Sequence, residues 1–194
     1  MSSPGSNNRI VSPALSPTSE LDAAVAFVNT YDELNDPKDG LTSIDVLHRV
    51  LQRCELESLA QGLTARDLSA ARRLRHSLRQ VFVATDDSAR AAVLNGLLRS
   101  ARSELELRPG QTGWELAGHS ARGGIGPLTA TFATALARVI ADGAGDRLGV
   151  CAAHPCRCVF VDATRSRRQR YCCELCNDRV AAAAYRRRTA NRRP

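Results

Sequence analysis

Aromatic residues are scarce in this chain, with one Trp, three Tyr and four Phe making up 4% of it. That is too few to stack successive unpaired bases, so binding of single strands on an aromatic platform is excluded as an organising principle. No run of about 18 apolar residues occurs, so no membrane-spanning helix is expected. The opening MSSPGSNNRIVSPALSPTSE lacks the apolar core of a signal peptide, and the expected location is the cytoplasm. Cysteines number seven, six of them between Cys151 and Cys176. An odd, clustered set in a reducing compartment suits a disulfide framework poorly, which makes metal binding the leading reading. Catalytic constellations are missing as well. There is no H-E-x-x-H, no H-x-E followed by P-C-x-x-C, no Ser-His-Asp set and no paired carboxylates, so the chain is not expected to be an enzyme.

What the chain has is a lopsided charge. From Val150 to Pro194 eleven arginines face only Asp162, Glu174 and Asp178, whereas residues 1–149 carry 16 basic and 17 acidic groups. The whole positive excess of +7 therefore sits in the last quarter, and that asymmetry points to a polyanion partner for the tail.

Periodicity predicts an α+β chain whose N-terminal part is mainly helical. Residues 1–19, rich in Ser, Pro and Asn, read as a disordered leader. LDAAVAFVNTYDEL is a short helix with Leu21, Val25 and Val28 on one stripe. TSIDVLHRVLQRC is a second, with Thr42 as its cap. In TARDLSAARRLRHSLRQVFVATDD, Thr64 and Asp67 cap a longer helix that buries Leu68, Ala71, Leu74, Leu78 and Val81. Asp86 or Asp87 caps the next helix, whose polar side carries Arg90, Asn95 and Arg99. Alternation around Pro109–Gly110 predicts a small hairpin near 103–108 and 113–117. The glycines at 123, 124 and 126 read as an entry loop to a core helix bearing Leu128, Phe132, Leu136, Val139 and Ile140. The helical domain is expected over 20–147 and a second, metal-bound module over 148–194.

In that module, Cys151 and Cys156 form one close pair and Cys172 and Cys176 the other, fifteen residues apart. Two close pairs are the usual supply for a tetrahedral four-cysteine zinc site, and four thiolates leave no open position for water. One structural zinc ion is the expected cofactor. Cys158, Cys173 and His154 are the alternatives as ligands. A hairpin across RCVFVDATRSRRQRY followed by a helix would give a treble-clef-like zinc module. Its basic face would consist of Arg165, Arg167, Arg168 and Arg170 in the loop region and Arg179, Arg186, Arg187 and Arg188 on the terminal helix. These are the candidate contacts to double-stranded DNA. An adaptor that binds RNA or an acidic protein surface is the alternative function.

The span LGVCAAHPCRCVFVDATRSRRQRYCCELCNDRVAAAAYRRR resembles the CGNR zinc finger at Cys151, Cys156, Phe160, Asp162, Tyr171, Cys172, Cys176 and Arg179. FVNTYDEL, the helices after it and the Trp114 hairpin resemble the alanine-rich ABATE-type domain that accompanies this finger in stress-induced transcription regulators. The resemblance implies a bacterial, nucleoid-associated DNA-binding regulator whose N-terminal domain senses a small-molecule effector or a protein partner. It also puts forward Asn29 and Thr30, and with them Trp114, as candidate ligand-binding residues; by themselves Asn29 and Thr30 read as polar groups at a helix end. A homodimer is admitted by analogy with symmetric regulators. The chain departs from the family at its name-giving motif, with Asn177 and Asp178 between Cys176 and Arg179.

Overall fold

The computed structural model describes residues 19–110 and 113–190. The expected leader lies outside the described residues except for Ser19, which opens the first helix. In chain order come α1 (Ser19–Val28), α2 (Ile44–Arg53), α3 (Leu68–Val83), α4 (Asp87–Ala101), β1 (Ser103–Gly110), β2 (Gly113–Ser120), α5 (Gly126–Ala141), β3 (Leu148–Val150), β4 (Val159–Val161) and α6 (Glu174–Ala190). The mixed, mainly helical class expected from periodicity is what the chain adopts.

Local chemistry accounts for most of the boundaries. Thr64 and Asp67 form a reciprocal capping box at the 3-10 turn that leads into α3, each satisfying a backbone donor the helix leaves open. Asp86 caps α4 by accepting from the Ala89 N–H at 2.8 Å. At α2 the structure differs: Ser43, not Thr42, is the N-cap, and it makes no side-chain capping bond. The hairpin is longer than expected, pairing Ser103 with Ser120 at one end and Gly110 with Gly113 at the other.

The greatest difference lies in α5. Instead of one apolar stripe it is buried nearly all round, from Leu128 through Leu136 and again at Val139. A helix buried on every side must be slim, and the alternating Ala and Thr residues between Leu128 and Ala135 make it so. Phe132 meets Phe27 of α1 with ring centroids 5.6 Å apart. The hairpin closes on another face, where Gly118 leaves no room for a Cβ against Thr134 and the Ala130 carbonyl.

The core does not stop at residue 147. Leu148 of β3 and Val159 of β4 are buried in the same apolar cluster as α1, α3 and α5, with Val150 and Val161 packed against it. The two strands pair antiparallel, with Gly149 opposite Phe160, and a Cβ at Gly149 would run into that ring. The C-terminal module is thus seated on the helical body through its first two strands.

Candidate metal centre and basic helix

The hairpin expected across residues 157–171 is absent. The paired strands instead bracket the first cysteine pair, and 162–173 is an irregular loop. The arrangement follows from the sequence around Cys151. β3 ends at Val150, the chain turns through Ala152–Arg157, and the Cys151 N–H donates to the Cys158 carbonyl at 2.8 Å to close the turn. Cys151 and Cys156 thereby point to the same side. The second pair comes from the far end of the loop, with Cys172 just ahead of α6 and Cys176 in its first turn.

The ligand atoms of Cys151, Cys156, Cys172 and Cys176 all lie within 4.8 Å of one another. Sγ of Cys172 is 3.7 Å from Sγ of Cys156 and 3.7 Å from Sγ of Cys176. A tetrahedron with Zn–S bonds of about 2.3 Å has edges of about 3.8 Å, so the donors fit zinc. The four thiols are not equivalent. Burial pushes the Cys156 and Cys176 thiols up, and Cys172 is pushed up by its neighbour Cys158 and then by burial, while at Cys151 burial is outweighed by hydrogen bonds from the Cys172 and Ala153 backbone, which hold the thiol down. A cation that shares the charge favours the thiolate form at all four positions. The centre is a structural zinc site with a complete set of four protein donors.

Of the alternatives, Cys158 lies beside the cluster, while Cys173 and His154 are exposed. Cys173 is exposed, with its Sγ 3.9 Å from that of Cys172 on the outer side. Cys158 is buried in the same small cluster as Cys151, Cys156 and Cys176, and its thiol, the Asp32 carboxylate and Cys156 lie within 4.8 Å of one another. His154 is exposed on the turn.

Asp162 organises the loop that carries the arginines. It accepts from Thr164 N–H at 2.7 Å, from Thr164 Oγ1 at 2.6 Å and from Gln169 N–H at 2.8 Å. Burial would raise its pKa, but the donors from Thr164 and Gln169 outweigh it and hold the carboxyl below its ordinary value. Arg147, just ahead of β3, fastens the same loop by donating to the Asp162 and Thr164 carbonyls at 2.7 and 3.0 Å. Of the loop arginines, Arg167 pairs with Asp146 at 3.1 Å and Arg170 lies over the Tyr171 ring. Arg165 and Arg168 are exposed. Arg168 and Arg170 also line a cleft of about 480 Å³ with Cys173, Glu174 and Asn177 at the start of α6.

α6 buries only Cys176. At about 100° per residue, Leu175, Arg179, Ala182 and Arg186 fall within about 60° of one another. Arg187 turns about 80° away from Arg179, and Arg188 points to the opposite side. The terminal arginines therefore do not share one face. Asn177, Asp178 and Arg179 are all exposed, with Asp178 about 100° round the helix from Arg179.

Asn29 and Thr30 are brought together but already have partners. The Asn29 side chain donates to the Val159 carbonyl at 2.9 Å and accepts from the Val159 N–H at 2.7 Å. It occupies the outer edge of β4 as another strand would. Thr30 Oγ1 donates to the Phe27 carbonyl and accepts from Arg75, which grips Asp39 at 2.6 and 2.8 Å. Trp114 stands apart on β2, 75% exposed, opposite Pro109. Sequence reasoning missed the Asn29–Val159 clasp, which spans 130 positions. It also missed Arg79, whose Nη1 donates to the Arg157 carbonyl at 2.6 Å. No periodicity or spacing signals either contact. Arg90, expected on a polar face, is buried.

Residues 21–143 match the ABATE family, described as "Putative stress-induced transcription regulator", and residues 147–189 match the CGNR zinc finger. A search of curated proteins returned no match.

Proposed function

Because the chain belongs to the ABATE family and ends in a CGNR zinc finger, we propose that it is a transcription regulator that binds double-stranded DNA through α6 and the arginine loop. The observation that carries this reading is the state of α6. It is a 17-residue helix with a single buried residue, rooted at its N-terminal end in the zinc centre, in a module whose arginines far outnumber its acids. At about 1.5 Å per residue it is about 25 Å long, enough to lie in a major groove about 12 Å wide. Leu175, Arg179, Ala182 and Arg186 form the edge that reaches base pairs, with small or apolar residues between the guanidiniums. Arg165, Arg168, Arg170 and the flanking Arg187 take phosphates, and Arg167 joins them on leaving Asp146. The helical body takes the sensing role, and the protein acts in the cytoplasm. Among the described residues no helix is long and apolar enough to cross a membrane.

Selection of duplex fragments by the zinc-loaded protein, followed by titration in increasing salt, tests the reading. A preferred sequence should emerge, with a log-log salt slope of about −4 to −6 if five or six phosphates are neutralised. Binding that ignores salt, or that favours structured RNA over every duplex, would overturn it.

A further inference from the structure

Between α3 and the turn of the zinc module lies an open cleft of about 680 Å³, within the range of small-ligand sites. Its floor is apolar, formed by Phe82, Val83 and Leu148, and its rim carries Arg79, Arg90 and Arg157. No carboxylate is among the described residues that line it. Val83 is half exposed there, although its neighbours Val81 and Phe82 are buried.

Arg90 is the unusual member. Its side chain is only 9% exposed, and Nη1 pairs with Asp87 at 2.8 Å, but its buried Nε has no hydrogen-bond partner. An arginine that deep normally has its donors satisfied, because leaving one unpaired costs the full desolvation of that group. Arg79 carries a related strain: burial, and after it the neighbouring Arg157, hold its pKa below the ordinary arginine value. Three guanidiniums around an apolar floor, one of them incompletely paired, leave donors for an anion beyond the Asp87 carboxylate that holds Arg90 and the Glu33 carboxylate that acts on Arg79 and Arg157.

We propose that this cleft binds a small organic anion, with a carboxylate or phosphate held by Arg79, Arg90 and Arg157 and an apolar body lying on Phe82, Val83 and Leu148. The site places the ligand where both halves of the protein meet, since its far wall is the Cys151–Cys156 turn of the zinc module. It rests on the sensing half of the proposed function and is independent of DNA binding.

The test uses the full zinc-loaded chain without DNA, with benzoate and phenyl phosphate as anionic probes and benzamide as the neutral control. Calorimetry gives affinity, and amide shifts at Ala84, Gly149 and Ala152 give location. The expected result is that at least one anion binds with shifts at those three amides, that benzamide binds more weakly, and that Arg90→Gln and Arg157→Gln each weaken binding by about tenfold or more. Arg157 is exposed, so its variant remains informative if the buried Arg90 substitution unfolds the protein. Absence of binding by both anions, benzamide binding as tightly as benzoate, unchanged affinity in Arg157→Gln, or shifts confined to α6 would each overturn the site. None of these outcomes touches the salt-dependent duplex binding of α6, which is measured separately.

Discussion

Asn29 spends its whole amide on one peptide group of β4, and that makes it a structural clasp with a measurable cost. Asn29→Ala leaves the Val159 N–H and C=O without protein partners and should lower the unfolding free energy by about 1–3 kcal/mol. Asn29→Asp should cost at least as much, because the donor is lost and an anion faces the Val159 carbonyl. Urea denaturation of the zinc-loaded protein measures both, and unchanged stability would return Asn29 to the pool of ligand-contact residues. Asp39 poses a question of sign. The Arg75 hydrogen bonds, helped by its charge, hold the Asp39 carboxyl below its usual range, so the folded state binds fewer protons than the unfolded one near that pKa. Its contribution is therefore complete above the unfolded value of about 3.9 and fades as pH falls through the folded value. Asp39→Asn should be less stable than wild type at neutral pH, and the gap should close on acidification below about pH 4. Comparing the two proteins at each pH cancels the acid lability that the zinc thiolates share.

At the scale of elements, the helix wheel of α6 separates arginines that composition lumps together. Arg179 and Arg186 lie within about 20° of each other, while Arg187 lies on the flank, about 80° from Arg179. Arg179→Ala should cost about 1–3 kcal/mol against the preferred sequence and relax preference at one position, whereas Arg187→Ala should weaken all duplexes alike and reduce the salt slope by about one. Competition binding with a selected site and scrambled duplexes distinguishes the two. Equal effects would mean that Arg179 also contacts only phosphate. How far such features were legible in the sequence depended on the range of the forces behind them. The Thr64–Asp67 box, the Asp86 cap and the two cysteine pairs are local, and their spacings carried the information. The roles of Arg90 and Asn29, and the burial of α5 on all sides, are set by elements packed from distant parts of the chain. The hairpin of the zinc module was misplaced for a related reason. Alternation in Arg157–Val161 is real, but the partner strand is the segment before Cys151, and Asp162 draws the following residues into a loop instead of a returning strand.

For the molecule as a whole, the sequence suggests a helical body and a zinc module that unfold independently, so that chelation would melt the tail alone. The packing argues otherwise. Leu148 and Val159 are 4% and 1% exposed within the body's own core. The Asn29 clasp and the Arg79 bond to Arg157 both cross the same seam. Zinc supplies on the order of 10 kcal/mol to the folding of small finger peptides. In the described residues the module has little apolar core of its own beyond its cysteines, Ala153, Tyr171 and Val180. When the metal leaves, β3 and β4 lose the constraint that holds them paired, and the body loses the side chains they contribute. Zinc removal should therefore lower the unfolding temperature of the entire chain, with the helical signal lost in one transition. Cys176→Ser should reproduce the effect without a chelator, because it breaks the tetrahedron at the residue that anchors α6. Calorimetry and circular dichroism of the zinc-loaded, zinc-stripped and Cys176→Ser proteins provide the comparison. A body transition that stays at the same temperature in all three would show that the seam contributes nothing to its stability, and that the zinc module hangs from the body rather than forming part of its wall.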